Sequence, residues 1–290
     1  MLTFHAPLAE VITPLQAIIL GAVQGLTELL PISSSAHLYV VPTLLGWKYE
    51  GVAFDVALHG GTLVALVIAF WNDWLTLLRD AFWFRPAGHT WLERLRDSLW
   101  PSAVVPRVAR GVWAKLVVAT IPGAIAGKLL NEYADTLLRH LPLQAAMLVL
   151  FGLLLWLVDR GRPGREVHSP GWGTSLAMGL AQCVALVPGV SRSGITMTAG
   201  RAAGLSRVSA ARFSFLLATP ITAGALVLKI KDVPHDVPPM TLGLGVLSAA
   251  VFGILAIHVL LRMLRTAGFG VFFAYRVAFA GVIFAWLARH

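Results

Sequence analysis

The sequence contains very little cysteine and few charged side chains. Among its 290 residues there is one cysteine, Cys183, and only 13% are charged, whereas soluble domains carry about 25%. A single cysteine excludes a disulfide framework and any metal site built from several cysteines. The shortage of charge, together with a mean hydropathy of +0.76, argues against a water-soluble enzyme and excludes disordered, collagen-like and coiled-coil chains. The composition therefore predicts an integral membrane protein.

Acidic residues are scarcer than basic ones. There are 14 Asp and Glu against 23 Lys and Arg, which gives a formal net charge of +9. In a membrane protein such an excess is typical of cytoplasmic loops and of contact with anionic lipid head groups, so we expect membrane lipids and no nucleic acid among the partners. No short basic region precedes the first apolar run and no small-residue cleavage site follows it, so a removed signal peptide is not predicted.

Long apolar runs are the most prominent feature of the sequence. A membrane-spanning helix needs about 20 mostly apolar residues. Six runs fit that need, and two shorter ones, which contain Gln24, Glu28 and Gln182, break at Pro31 and at Pro188. The eight runs lie near 15–30, 53–71, 112–130, 143–158, 172–187, 210–228, 240–261 and 270–288.

The two short runs are each followed by a second short helical piece, near 34–45 and 194–204. Non-helical backbone at membrane depth is tolerated only where protein or a wet cavity surrounds it. We therefore predict an all-α polytopic protein with six transmembrane helices and two re-entrant helix-loop-helix hairpins.

The charges of the connecting segments orient this arrangement. Segments 72–111, 159–168 and 262–269 lean positive, whereas 128–142 and 229–239 are balanced. With six crossings and two hairpins, the basic segments fall on one face and the balanced ones on the other. The positive-inside rule makes the basic face cytoplasmic and places both termini outside. The longest segment, 72–111, is predicted to be an interfacial amphipathic element on the cytoplasmic side.

The two short runs also resemble one another. Gly21 recurs as Gly179 and Gln24 as Gln182, and at the same offset Ser33-Ser34-Ser35 becomes Ser191-Arg192-Ser193. Three crossings separate the copies, so they would enter from opposite faces, as in an inverted-topology repeat. The prediction is one membrane domain over 1–290, with repeats at about 15–130 and 172–262. Chance similarity between small-residue helices is the alternative.

Glu28 is the sharpest single indication of function. A carboxylate within an apolar segment costs about 2.5–3.5 kcal/mol on insertion scales, which makes it a functional candidate by default. Gln24 lies four residues earlier on the same helical face. The alternative is a structural hydrogen bond between Glu28 and a neighbouring helix.

Serines and a histidine follow directly after Pro31. A serine that precedes a helix caps it and leaves first-turn N–H groups available, and such a helix start attracts phosphate, so Ser33 and Ser35 are candidate phosphate ligands. Glu28, Ser34 and His37 bring an acid, a hydroxyl and a titratable base into one hairpin, which are the components of nucleophilic or acid–base catalysis. A histidine satisfied within the core is the alternative for His37.

The second hairpin carries the sequence Pro188-Gly189-Val190-Ser191-Arg192-Ser193-Gly194. Glycines such as Gly194 allow close approach of the backbone to a ligand, and Ser191 and Ser193 can donate hydrogen bonds. The planar fork of Arg192 suits phosphate oxygens, and a buried arginine needs an anionic partner, which is either a phosphate or Glu28. The next arginines, Arg201, Arg207 and Arg212, are expected to contact lipid head groups.

These residues resemble the undecaprenyl-diphosphate phosphatase family, also known for bacitracin resistance. Gln24–Leu38 is similar to its first motif and Pro188–Gly194 to its second, and Phe213–Ala218 and Tyr275-Arg276 fit further family patterns. The resemblance covers nearly the whole chain. It implies six spanning helices and two re-entrant hairpins in an inverted repeat, in a bacterial plasma membrane enzyme whose site is open to the periplasmic side.

The resemblance also implies the chemistry. The family removes the terminal phosphate of undecaprenyl diphosphate, which recycles the carrier lipid for peptidoglycan synthesis, and it uses Mg²⁺ or Ca²⁺. Carried over, Gln24 and Glu28 are the metal-site positions, although some members have glutamate where this chain has Gln24. Further family site positions are matched by Ser34, His37, Ser191, Arg192 and Ser193.

The sequence leaves several alternatives open. Either His37 or Ser34 attacks phosphorus, or His37 activates water or Ser34. A transporter or flippase of a lipid phosphate or other anion is the rival function, since inverted repeats and broken helices also serve alternating access. A binding protein without turnover is a third. The sequence does not distinguish a monomer from a homodimer.

Overall fold

The computed structural model describes residues 12–82, 111–136, 140–160, 164–232 and 237–289. Within these ranges the chain forms eleven α-helices and one short 3-10 turn, and its one β-type pairing is an isolated bridge between Arg165 and Leu205. The helices are α1 (Pro14–Leu29), α2 (Ser34–Leu45), α3 (Val52–Ala69), α4 (Trp71–Phe82), α5 (Val112–Thr136), α6 (Leu141–Asp159), α7 (Trp172–Val184), α8 (Arg192–Ala202), α9 (Arg207–Lys229), α10 (Pro239–Met263) and α11 (Gly270–Leu287).

Six of these helices are long and apolar enough to cross a membrane, and they coincide with the six predicted crossings. They are α3, α5, α6, α9, α10 and α11. The two broken segments form shorter helices joined by loops, which are α1 with α2 and α7 with α8. The all-helical architecture predicted from the sequence is therefore the one observed, with six helices that could span a membrane.

Close packing of helices rests on glycine. Helix α1 lies against α10, and α7 lies against α5. A Cβ atom added at Gly21 would overlap the carbonyl oxygen of Gly245, and one added at Gly179 would overlap the carbonyl oxygen of Ala119. Because lipid supplies no hydrophobic driving force between helices, such small-residue contacts are a main source of association within a membrane.

The N-terminal half of helix α9 lies in the core of the molecule. All of its residues from Val208 to Thr219 are buried, and it packs against α3, α5 and α8. A helix buried on every side is typical of a core position. Through its contact with α8, this helix fixes the position of Arg192, the first residue of α8.

The expectation that Arg201 and Arg212 contact lipid head groups is wrong. Both are buried in ion pairs, Arg201 with Asp159 and Arg212 with Asp73. A buried guanidinium is stable only when an anion and hydrogen bonds compensate for its lost hydration. These arginines therefore connect helix ends to one another.

Only part of the 72–111 segment is described. Its first residues belong to α4, which directly follows α3. Residues 83–110 lie outside the described part of the chain, so the prediction of an interfacial element on the cytoplasmic side stays a prediction.

Candidate active site

Two serine-containing loops form the frame of the site. The first serine loop, residues 30–33, joins α1 to α2, and the second serine loop, residues 185–191, joins α7 to α8. Each ends on a serine with left-handed backbone, Ser33 with φ of 75° and Ser191 with φ of 74°, and no other non-glycine residue in the described ranges has a positive φ. Such backbone costs about 1–3 kcal/mol and is concentrated at functional sites.

Glu28 lies where the two loops meet. Its carboxylate accepts hydrogen bonds from Ser34 Oγ on Oε2 and from Arg192 Nη2 on Oε1. Gln24 Nε2 donates to Oε2 at 3.4 Å. Glu28 and Ser34 are each only 7% exposed. The structure thus brings together four of the residues selected from the sequence, and it joins Glu28, at the end of the helix before the first loop, to Arg192, at the start of the helix after the second.

Arg192 and Ser193 hold the second serine loop against the first. The second terminal nitrogen of Arg192, Nη1, donates to Ala218 O at 3.0 Å and to Thr222 Oγ1 at 2.9 Å. Ser193 Oγ lies 3.2 Å from Glu28 O and 3.1 Å from Leu30 O, both of which accept. The side chain of Arg192 keeps 18% exposure. Both terminal nitrogens are therefore engaged, Nη1 by α9 and Nη2 by Glu28, while the side chain stays partly exposed to a ligand.

The two N-terminal serines differ in how they cap their helices. Ser191 Oγ accepts from Gly194 N at 3.1 Å, which is the predicted cap of α8. Ser33 makes no side-chain cap to α2, so that part of the expectation is wrong. Its Oγ instead lies 3.2 Å from Ser35 Oγ, as Ser191 Oγ lies 3.2 Å from Ser193 Oγ. The first-turn N–H groups of α2 therefore donate no hydrogen bond to the Ser33 hydroxyl.

His37 is buried near these groups but bonds elsewhere. Its Nδ1 lies 2.7 Å from Ser33 O, so Nδ1 carries a proton and donates. Its Nε2 lies 2.8 Å from Tyr275 Oη. The ring stacks on Phe279 with 4.0 Å between centroids. A neutral His37 therefore accepts from Tyr275 at Nε2, and the acid–hydroxyl pair is formed without it.

His59 is a site residue that the sequence reasoning missed. Its Nε2 lies 3.2 Å from Glu28 Oε2, and its Nδ1 donates to Asp55 O at 2.7 Å. A carboxylate only accepts, so this contact is attractive when Nε2 also carries a proton. The signal was present, because His59 is an ionisable side chain within the apolar run 53–71 and such residues mark functional sites.

Arg276, on α11, supports the second serine loop. It is completely buried, and its Nη2 donates to Gly189 O and Val190 O. Its Nε and Nη1 have no hydrogen-bond partner among the described residues. Arg276 therefore positions the backbone that leads into Ser191.

A divalent ion would depend on few protein ligands here. Within the described ranges no three His, Cys, Asp or Glu side chains are grouped to hold a metal. Glu28 offers one carboxylate, and the buried Oε1 of Gln24 has no hydrogen-bond partner there. Mg²⁺ is commonly held by one or two carboxylates together with substrate phosphates and water, so this oxygen pair fits such an ion. The ion would compete with Arg192 and His59 for the Glu28 oxygen atoms.

Fold and site together define a class of protein. The chain is a multi-pass helical membrane protein whose buried site combines a carboxylate, a guanidinium and serine-rich helix starts, a set suited to binding phosphate. Residues 17–282 match the family model described as bacitracin resistance protein BacA. The chain belongs to this family, which confirms the resemblance drawn from the motifs.

Curated relatives agree with the family model. A protein of Gemmatimonas aurantiaca is 47% identical over 275 residues, covering 94% of this chain and 97% of the relative. A protein of Moorella thermoacetica is 45% identical over 280 residues, covering 96% of this chain and all of the relative. A third, from Pelotomaculum thermopropionicum, is 45% identical over 267 residues, 91% of this chain and 93% of its own length. All three are named undecaprenyl-diphosphatase.

Proposed function

We propose that this protein hydrolyses undecaprenyl diphosphate to undecaprenyl phosphate and inorganic phosphate. It thereby recycles the lipid carrier used for cell-wall synthesis and supports bacitracin resistance. Its family and its relatives at 45–47% identity over more than nine-tenths of the chain support this activity. The observation in the structure that carries it is the contact of Glu28 with both Ser34 and Arg192 where the serine loops meet.

The diphosphate would bind between the two serine loops. Arg192 can offer its fork to phosphate oxygens while Thr222 and the Ala218 carbonyl hold one side of it. The N-termini of α2 and α8, with Ser33, Ser35 and Ser191, would contribute hydroxyl and N–H donors. The Ser193 hydroxyl and the Gly194 N–H, which already donate within the site, would hold the two loops in place. Preorganised donors of this kind stabilise the charge on a transferred phosphoryl group, which accounts for most of the catalysis in such reactions.

The geometry favours Ser34 over His37 as the nucleophile. Ser34 Oγ already donates to Glu28, so the carboxylate is placed to take the hydroxyl proton as oxygen attacks the terminal phosphorus. The bond from phosphorus to the bridging oxygen then breaks, and undecaprenyl phosphate leaves with that oxygen. Water subsequently hydrolyses the phosphoserine. Attack by His37 would require Nε2 to leave Tyr275.

We also propose that Glu28 and Gln24 hold Mg²⁺ or Ca²⁺ through a carboxylate oxygen and the amide Oε1. The unpartnered buried Oε1 of Gln24 supports this assignment. When bound, the ion would neutralise charge on the substrate phosphates. Gln24→Ala should then raise the Mg²⁺ concentration needed for half-maximal phosphate release. An unchanged requirement would remove Gln24 from the ion site.

The proposed topology is an inverted repeat with two re-entrant hairpins in a bacterial plasma membrane, and the site opens to the periplasm. Three equivalences at one sequence offset support it. Gly21 and Gly179 make matching close contacts with α10 and α5, the serine loops end at matching φ, and Gly46 and Gly204 are both left-handed. Cysteine labelling of intact cells at exposed Leu45 would test the side, with accessible label expected from outside.

A transporter of lipid phosphates is the rival function. Transport needs no nucleophile, whereas a serine hydroxyl bonded to a carboxylate is an arrangement for group transfer. Detergent-purified protein should release phosphate from undecaprenyl diphosphate, and Glu28→Gln should lower kcat by about 10²–10⁴-fold, the range for loss of a general base. Release of phosphate by Glu28→Gln at the wild-type rate would refute the proposed mechanism.

A further inference from the structure

A second polar cluster lies at the opposite end of α8 from Arg192. Asp159, the last residue of α6, accepts from Arg201 Nε at 2.9 Å and from Arg207 Nε at 2.8 Å. It also accepts from the backbone N–H of Phe269 at 3.1 Å. Arg192 and Arg201 are nine residues apart on one helix, which separates the two clusters by about 14 Å. This cluster therefore lies outside the site already described.

A cavity of about 360 Å³ opens beside this cluster. The guanidinium of Arg160 lies 4.1 Å from the centre of the Trp156 ring, which stacks on Phe273 with 5.2 Å between centroids. The residues that line the cavity are Trp156, Asp159, Arg160, Arg207, Ala267, Gly268, Gly270 and Val271.

The cavity is electropositive. Arg160, Arg201 and Arg207 stand against the single carboxylate of Asp159. Arg201 uses its donors on Asp159 and Leu205 O. Arg207 uses Nε alone, and neither Nη1 nor Nη2 of Arg207 makes a hydrogen bond with the residues that the structure describes. The N-termini of α9 and α11 lie at the same place, since these helices begin at Arg207 and Gly270, and they add positive dipole ends.

One wall of the cavity is apolar and reaches the surface of the protein. Val271 lines it and is 51% exposed on the surface of α11, a helix apolar enough to span the membrane. Trp156 provides an amphipathic ring of the kind enriched at membrane interfaces. A ligand that fits both walls has an anionic group and a hydrocarbon part.

We propose that this cavity binds the phosphate group of an anionic phospholipid. The phosphate oxygens accept from the free Nη1 and Nη2 of Arg207 and from Arg160, and an acyl chain lies along Val271. On the proposed topology the cavity is at the cytoplasmic face, where the segments 159–168 and 262–269 carry the excess of arginine. The site is separate from hydrolysis of the substrate diphosphate.

Lipid retention measured by native mass spectrometry tests this site. Wild-type protein exchanged from detergent micelles that contain phosphatidylcholine into micelles that contain phosphatidylglycerol and phosphatidylcholine should retain phosphatidylglycerol. Arg160→Gln should weaken that binding about tenfold, because a charge-assisted hydrogen bond is lost. Arg262→Gln is the matched control, since Arg262 is an exposed arginine of the neighbouring segment and does not line the cavity.

A second variant blocks the cavity without changing its charge. A Cβ atom at Gly268 would lie 2.8 Å from Asp159 Oδ2 and 3.0 Å from Arg207 Nη2, so Gly268→Ala displaces the Arg207 fork. It should also lose retention, and a circular dichroism melt in lipid-free detergent checks that it is folded. Equal retention by wild type, Arg160→Gln and Gly268→Ala would overturn the proposal.

Two further measurements identify the source of the bound phosphate group and distinguish this site from the active site. If millimolar inorganic phosphate displaces phosphatidylglycerol from wild type, the cavity takes the soluble anion and the lipid assignment is overturned. Phosphate release from undecaprenyl diphosphate is measured on the same preparations. Arg160→Gln should keep it, whereas absence of hydrolysis in wild type would refute the proposed function and leave the lipid result standing.

Discussion

The two serine loops have matching backbones and different chemistry. Both end on a left-handed serine, both place a pair of serine hydroxyls 3.2 Å apart, and both start a short helix. The helices that flank the first loop carry Glu28, Ser34 and His37, whereas at the same offset the second repeat has Leu186, Arg192 and Ile195. Two copies of one scaffold therefore supply an acid with a nucleophile on one side and a guanidinium on the other.

This division has a physical reason. A lone carboxylate or a lone guanidinium buried at membrane depth is costly, and each is stabilised when the other lies against it. Glu28 and Arg192 meet in this way across the loops. If both repeats carried the same charged residue where Glu28 and Arg192 now meet, two like charges would lie against each other.

The largest effect should come from the Ser34 hydroxyl, which Arg192 replaces at the same offset in the second repeat. Ser34→Ala should reduce kcat by about 10⁴–10⁶-fold, because nucleophile and base act as a unit. Phosphate release by purified protein measures the change in kcat, and Thr43→Ala, which removes a hydroxyl of the same helix that bonds Tyr39 O, is the matched control. Labelled substrate should leave label on Ser34 in wild type, and label on His37 would assign the attack to the histidine instead.

A smaller loss of activity is expected when Arg192 is replaced by a residue that keeps the positive charge but lacks the planar guanidinium. Arg192→Lys should lower kcat/KM by about 10²–10³-fold, as for removal of one oxyanion donor, because an ammonium cannot reach Glu28 or phosphate and Thr222 together. Steady-state kinetics of phosphate release measure this change in kcat/KM. Near-wild-type kinetics would show that charge alone suffices and that the geometry of the second loop is not used.

The contact of His37 with Tyr275 should matter less. Tyr275→Phe removes the hydroxyl that donates to Nε2 while keeping the ring that packs beside Phe279. We expect less than a tenfold change in kcat, since Ser34 and Glu28 are untouched. If Tyr275→Phe lowers kcat as much as His37→Ala does, the tyrosine hydroxyl takes part in the reaction. Both variants are therefore assayed in parallel.

The smallest expected difference concerns the capping of the two helices. Ser33→Gly relieves the left-handed backbone and loses no cap, so it should leave stability unchanged or raise it by about 1 kcal/mol. Ser191→Gly gains the same relief but loses the bond from Gly194 N, which costs a few tenths of a kcal/mol. Thermal melts in detergent should rank Ser33→Gly above Ser191→Gly. The reverse order would contradict the capping difference.

Most of the helical framework could be predicted from composition and run length. A spanning helix must be apolar over its full length, so α6 or α10 stands out in the sequence without knowledge of its neighbours. The break after Glu28 was visible because Pro31 and three serines interrupt an apolar run. Local chemistry carries these features, and local chemistry is what a sequence displays.

Partners across long separations could not be predicted in the same way. Arg201 and Arg212 appeared to be head-group ligands because only their neighbours in sequence were visible, and their carboxylates, Asp159 and Asp73, lie far along the chain. His59 was missed for the same reason, since nothing local links it to Glu28. Ionisable residues in apolar runs can be recognised one at a time, but packing decides which pairs form.

The sequence by itself determined that this is a helical membrane protein with two serine-rich interruptions, because hydropathy and proline act within a few residues. Only the tertiary structure decided that Ser34 donates to Glu28 while His37 bonds Tyr275. Both choices were chemically open along the chain. They were settled by how α1, α2 and α11 pack, since a hydrogen bond forms only with the partner that packing brings within about 3 Å.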